Sequence, residues 1–123
     1  MTLNIEKVTG DLISAVQSKA GQGWGQLSGF VTTQSKMLAN QGAWITESRI
    51  NGALKTDDEL FNFFVDQLKD SVESLAHAVA ELAVLTIEGT WNAVVGVLWG
   101  AINTALKGAG LGFLPIPSAP PQA

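Results

Sequence analysis

From Phe61 to Leu82 the large apolar residues fall at Phe61, Val65, Leu68, Val72, Leu75, Val79 and Leu82, in alternating steps of four and three. An α-helix turns every 3.6 residues, so this spacing aligns them in a coiled-coil-like seam that must pack against another helix. Phe64, Ala76, Ala80 and Ala83 widen the stripe, which predicts a multi-helix bundle rather than a two-stranded coil. Just upstream, Thr56 followed three residues later by Glu59 reads as a capping box, and the carboxylates of Asp57 and Asp58 favour the positive end of a helix starting at Asp57.

The same patterning predicts two earlier helices. One runs from about Leu3 to Lys19, with Ile5, Val8, Leu12 and Val16 on one stripe. The three glycines of Gly21-Gln22-Gly23-Trp24-Gly25 make continuation costly and mark a turn. A second helix follows from about Gln26 to Leu54. Its large apolar residues, Leu27, Phe30, Val31, Met37, Leu38, Trp44, Ile45 and Ile50, form an imperfect stripe, with Gln34 and Gln41 at interior-like spacing. Gly29, Gly42 and Gly52 favour bending or close backbone packing, and the two glutamines are read as solvent-facing.

Residues 57–107 contain no proline, and their only glycines are Gly89, Gly96 and Gly100. The segment reads either as one helix, about 75 Å long at 1.5 Å per residue, or as two helices broken near Gly89 with Thr90 as the new N-cap. Gly108-Ala109-Gly110-Leu111-Gly112 is a stop signal, and the prolines after it predict an extended tail. The expected fold is therefore all-α: a helical bundle, or an extended helical hairpin with one long C-terminal helix, over residues 1–112, followed by a Pro-rich tail over 113–123.

Composition changes the picture mainly at the surface. Only 15% of the 123 residues are charged, and 46% are hydrophobic. An average soluble domain has about 25% charged residues, so part of this surface is expected to be covered by protein. The net charge of −4 is unevenly spread: residues 57–88 hold eight acids and one base, whereas the chain before them holds three acids and five bases. Such asymmetry suggests charge matching between segments or copies and excludes a conventional basic nucleic-acid binder. With no Cys, disulfides, thiolate nucleophiles and Cys-ligated metals are excluded. The first residues lack a positive leader followed by an apolar run, so the expectation is cytoplasmic synthesis without a cleaved signal peptide.

Candidate chemistry is sparse. His77 shares a helix face with Glu73 and Glu81, but one histidine and two carboxylates make a poor metal set, and a solvated face is the stronger reading. Asp70, Ser74 and His77 supply triad residue types without a nucleophile turn or oxyanion donors. Neither glycine-rich stretch has dinucleotide-loop or phosphate-loop spacing, and Pro117-Ser118-Ala119-Pro120 lacks the flanking base of a groove-binding ligand. No catalytic residue, cofactor or metal is expected.

Residues Gly89 to Leu106 form an uncharged run of 18, with Trp91 and Trp99 eight apart and Gly96 and Gly100 in a small-xxx-small pattern. Such a run suits burial against protein, with the glycines at a close helix crossing. Membrane insertion is the alternative, although Asn92 and Asn103 dilute its hydrophobicity. In the tail, Phe113, Leu114 and Ile116 are apolar enough to lie across a neighbouring surface. The sequence thus predicts a non-catalytic structural subunit that packs on copies of itself or on partner subunits. Its expected interface comprises the seam from Phe61 to Leu82 together with Trp91, Gly96, Trp99, Gly100, Phe113 and Ile116. A membrane-active protein inserting residues 89–106 is the second reading, and a helical small-molecule carrier or enzyme subunit the third.

Overall fold

The computed structural model describes residues 3–82 and 86–119, and over them the chain is all-α. Helices α1 (Ile5–Ala20), α2 (Trp24–Asn51), α3 (Asp58–Leu82) and α4 (Ile87–Gly108) follow one another, with a single 3₁₀ turn over Gly21–Gly23 and no strand among the described residues. Local chemistry explains most of the boundaries. Asn4 caps α1 by accepting the Lys7 amide at 3.0 Å. Gly21, at φ 54°, takes the left-handed conformation that ends α1 and lets the chain turn directly into α2.

The cap of α3 differs from the sequence expectation. Asp57 Oδ1, not the Thr56 hydroxyl, accepts the Leu60 amide at 2.9 Å, and the helix begins at Asp58. A carboxylate caps at least as well as a hydroxyl and also meets the positive helix end, so Asp57 takes the role. Arg49 fixes the preceding turn. Its Nη1 donates to the Leu54 carbonyl at 2.9 Å, its Nη2 lies 2.8 Å from Asp58 Oδ1, and its guanidinium sits 4.4 Å over the Phe61 ring.

Residues 57–107 are not one helix. α3 ends at Leu82 and α4 begins at Ile87, capped by Thr86, whose hydroxyl accepts the Gly89 amide at 2.9 Å. The break therefore precedes Gly89, and Thr90 is a buried residue of the first turn rather than the cap. Gly89 has a different use: a Cβ there would stand 2.9 Å from the capping Thr86 hydroxyl. Ala83, Pro120 and Pro121, which the sequence assigned to the stripe and the tail, lie outside the described residues.

The helices pack as a bundle in which α1 lies against α2 and α4, α3 lies against α2 and α4, and α2 also meets α4 across the centre. α1 and α3 lie diagonally, without close backbone approach, so the α1–α4 side and the α2–α3 side face opposite directions. Val8, Leu12 and Val16 of α1 and the seam of α3 from Phe61 to Val79 enter one continuous core with Trp91, Val94, Val95, Leu98, Trp99 and Ile102 of α4. Leu82 does not share this burial, being half exposed at the last residue of α3. The accessible surface of 6620 Å² is close to the value of about 6,300 Å² expected for a folded monomer of this mass. One chain thus supplies its own seam partners.

α2 turns inward Leu27, Val31, Leu38 and Ile45 of the expected stripe, and with them a row of small residues. Ser35, Ala39, Gly42 and Thr46 are buried, whereas Met37 and Trp44 are exposed. The small residues allow α4 to approach closely: a Cβ on Gly42 would lie 3.0 Å from Leu98 Cδ1 and 3.7 Å from Ile102 Cδ1. Gln34 and Gln41 are half-buried at the edge of this face.

After α4 the chain folds back. The amides of Gly110 and Leu111 donate to the carbonyls of Lys107 and Leu106 at 3.0 and 2.9 Å, a Schellman turn made easy by Gly110 at φ 79°. Asn103 then clamps the tail, its Oδ1 accepting the Leu114 amide at 2.7 Å and its Nδ2 donating to the Leu114 carbonyl at 2.9 Å. Farther along, Trp91 Nε1 donates to the Pro117 carbonyl at 3.2 Å. Asn103→Ala removes both clamping bonds at a cost of about 1–2 kcal/mol. Amide hydrogen exchange at Leu114 should accelerate while exchange within α3 is retained; an unchanged Leu114 rate would count against the clamp.

Candidate functional site

The site residues expected from sequence separate into three environments. Phe61, Val65, Leu68, Val72, Leu75 and Val79 are buried within the chain. Trp91 and Trp99 join the same core, Trp99 with no exposure at all and with its indole N–H lacking a hydrogen-bond partner. Phe113 and Ile116, 72% and 52% exposed, point away from the bundle, while Leu114 between them is buried.

Gly96 and Gly100 occupy a third environment, the outer face of α4. Nothing lies within 4 Å of a Cβ built on either, so neither sits at a helix crossing within the chain. The close crossing occurs at Gly42 instead. The reason is rotational: once Trp91, Val94, Leu98 and Ile102 face the core, Gly96 and Gly100 lie on the opposite side of the same helix.

Together with the first half of α1, this outer face forms an open groove of about 830 Å³. Gly96, Gly100 and Gly108 of α4 contribute no side chains to it, and Val97, Ala101, Leu3 and Val8 make its walls largely apolar. On one rim, Lys7 Nζ lies 2.9 Å from Asp11 Oδ2, an exposed pair one helical turn apart. Uncharged residues fill α4 from Gly89 to Leu106 because its inner half is core and its outer half is this smooth groove.

The opposite side of the bundle is built differently. Trp44 of α2 stands edge-on to Phe64 of α3 with ring centroids 4.9 Å apart, and Phe63 packs edge-on to Phe64 at 5.4 Å. Trp44 and Phe63 are about half exposed, Met37 is 59% exposed, and Leu60 also reaches solvent. The sequence reading placed these residues on apolar stripes or passed over them. What would have exposed the ridge is the helical phase of α2: Leu27, Val31, Leu38 and Ile45 share one buried face with Ser35, Ala39, Gly42 and Thr46, and Met37 and Trp44, each one residue before Leu38 and Ile45, fall about 100° away from it.

The polar candidates stay at the surface. His77 Nε2 is 3.7 Å from Glu73 Oε2, both side chains nearly half exposed, and Asp70 and Ser74 are exposed. No cluster of three or more metal-ligating side chains occurs among the described residues. No described helix is long and apolar enough to cross a membrane. Fold and surface define an all-α helical bundle with an open small-residue groove on one side and an exposed aromatic ridge on the other. Comparison with protein-family models, curated proteins and solved structures finds no match.

Proposed function

We propose that the protein is a non-catalytic structural subunit that assembles through its apolar helix faces, with copies of itself as the partner. The observation that carries this reading is the pair of largely uncharged surfaces left open after the core is complete: the groove floored by Gly96 and Gly100, and the ridge bearing Met37, Trp44 and Phe63. Exposed apolar groups in contiguous patches are uncommon on monomers, and aromatic residues and methionine are enriched where proteins meet. A surface with glycine at positions 96, 100 and 108 also admits another element at short range, where dispersion contacts accumulate.

The seam of α3 now has a different role from the one its spacing suggested. It holds the subunit together, and association falls to the outer faces. Light scattering over a concentration series around the micromolar range tests the reading: mass should rise with concentration, and a monomer of constant mass would overturn it. Dye release from lipid vesicles, measured on the same sample, is the companion test. Strong release by a protein that stays monomeric would favour the insertion of residues 89–106, which requires α4 to leave the core and expose Trp91, Trp99 and Ile102 to lipid.

A further inference from the structure

We infer that the cleft between α3 and α4 is a receptor for an extended, proline-rich segment of the form Leu-Pro-x-Pro, with the chain's own tail as its resident ligand and the tail of a second copy as its partner in exchange. This inference is independent of the helix-face association proposed above, because it runs through the tail alone.

The seat is made of side chains that read backbone. Asn103 of α4 addresses both polar groups of one residue, its Oδ1 accepting the Leu114 amide at 2.7 Å and its Nδ2 donating to the Leu114 carbonyl at 2.9 Å. Nearer the start of α4, Trp91 donates its indole N–H to the Pro117 carbonyl at 3.2 Å. Two anchors on different residues of the segment fix both its register and its direction. Between them Leu114 adds the apolar anchor, buried in the common core of the bundle. Aromatic-lined grooves take proline-rich segments because these are already extended and lose little entropy on binding.

The segment suits this seat. Pro115 and Pro117 have no amide N–H, and the buried Leu114 brings one donor that must be paired, which Asn103 pairs.

It is also a seat that the tail can leave. Leu114 is the only buried residue of the described tail, and Phe113 and Ile116 project into solvent. The tail does not fill the cleft. A hollow of about 270 Å³ lies beside Leu114, bordered by Arg49, Phe61, Asn62 and Leu106, and one of about 530 Å³ lies at Pro117, bordered by Asp66, Asp70, Glu73 and Trp91. The backbone bonds of the turn after α4 end at Leu111, and nothing stands within 4 Å of a Cβ built on Gly112. Glycine at 108, 110 and 112 makes this stretch a joint about which the tail can swing while α4 keeps its own hydrogen bonds.

What matches the vacated seat is the same segment of another copy. It carries every donor, acceptor and side chain that the seat contacts, so the bonds given up within one chain reform in the pair, and only the joint changes shape. The exchange is reciprocal and closes at two copies. The two joints then run past each other, and the residue that follows each joint is Phe113, 72% exposed in the single chain.

The cysteine-free sequence permits a direct test. Ser118 and Asp70, both exposed, border the same hollow. Full-length copies carrying Ser118→Cys are mixed with full-length copies carrying Asp70→Cys and oxidised; the mixed disulfide should exceed both homodimers. Adding Leu114→Asp to the Ser118→Cys copy alone leaves the receiving copy unaltered and should cut the mixed product at least about tenfold, since the apolar anchor is lost. A mixed product in the proportions of random collision, or one unmoved by Leu114→Asp, would overturn the exchange.

A second measurement reads the receptor itself. In a full-length chain carrying both Ser118→Cys and Asp70→Cys, the oxidised monomer has its tail locked in its own seat. A fluorescent peptide of residues 111–119 should bind the reduced chain and not the oxidised one. Binding to neither, or equal binding to both, would overturn the receptor. Both readouts follow the tail, so their failure leaves the helix-face association to stand or fall on its own light-scattering test.

Discussion

Leu75→Asp is expected to abolish the cooperative fold, whereas Glu73→Ala, two residues away, should leave it nearly unchanged. Leu75 is 1% exposed at the middle of the α3 seam, in the core formed with α2 and α4. Substitution removes a buried aliphatic side chain and places a carboxylate where the surrounding core is apolar. The cavity and the desolvated charge together cost about 5 kcal/mol or more, comparable to the entire stability of a small domain. Glu73 lies on the outer side of the same helix, and its carboxylate stands 3.7 Å from His77 Nε2, both side chains being nearly half exposed. Loss of such a surface interaction changes stability by at most about 0.5 kcal/mol. Far-UV circular dichroism and urea denaturation distinguish the two; equal midpoints would mean that the α3 seam has been placed on the wrong face.

The second large effect contrasts two glycines that look alike in sequence. Gly42→Leu should destabilise the chain by about 3 kcal/mol, because even a Cβ at this position lies 3.0 Å from Leu98 Cδ1 and the rest of the leucine has no free volume at the α2–α4 crossing. Gly96→Leu should be neutral or stabilising by up to about 1 kcal/mol in the dispersed chain, since its outer face is empty and leucine is the better helix former. Its effect should appear in association. Urea midpoints measured at a concentration too low for assembly make the comparison direct, and a loss at Gly96 equal to that at Gly42 would refute the assignment of inner and outer faces.

The contrast shows where the sequence was legible. All-α character, the inner face of α1, the α3 seam through Val79 and the stop at Gly108 follow from local rules: helical periodicity, the scarcity of proline, and glycine at a left-handed exit. Each is set by residues within a turn or two of one another. The Thr86 cap was not read from the sequence, which pointed to Thr90 instead. Geometry settles it through the 2.9 Å bond from the Gly89 amide to the Thr86 hydroxyl.

Sequence by itself therefore determined which segments are helices and that α3 must bury one face, because periodicity fixes what a helix presents whatever it packs against. It did not determine the partner. A seam from Phe61 to Val79 reads the same whether another copy covers it or the rest of its own chain does; only the closure of α2 and α4 around it decided for the latter. Tertiary packing also set the rotation of α2. Leu98 and Ile102 occupy the space over Gly42, which turns the face of Leu38, Gly42 and Ile45 inward and leaves Met37 and Trp44 at the surface. The same choice turned Gly96 and Gly100 outward, since one side of α4 cannot both fill the core and line the groove.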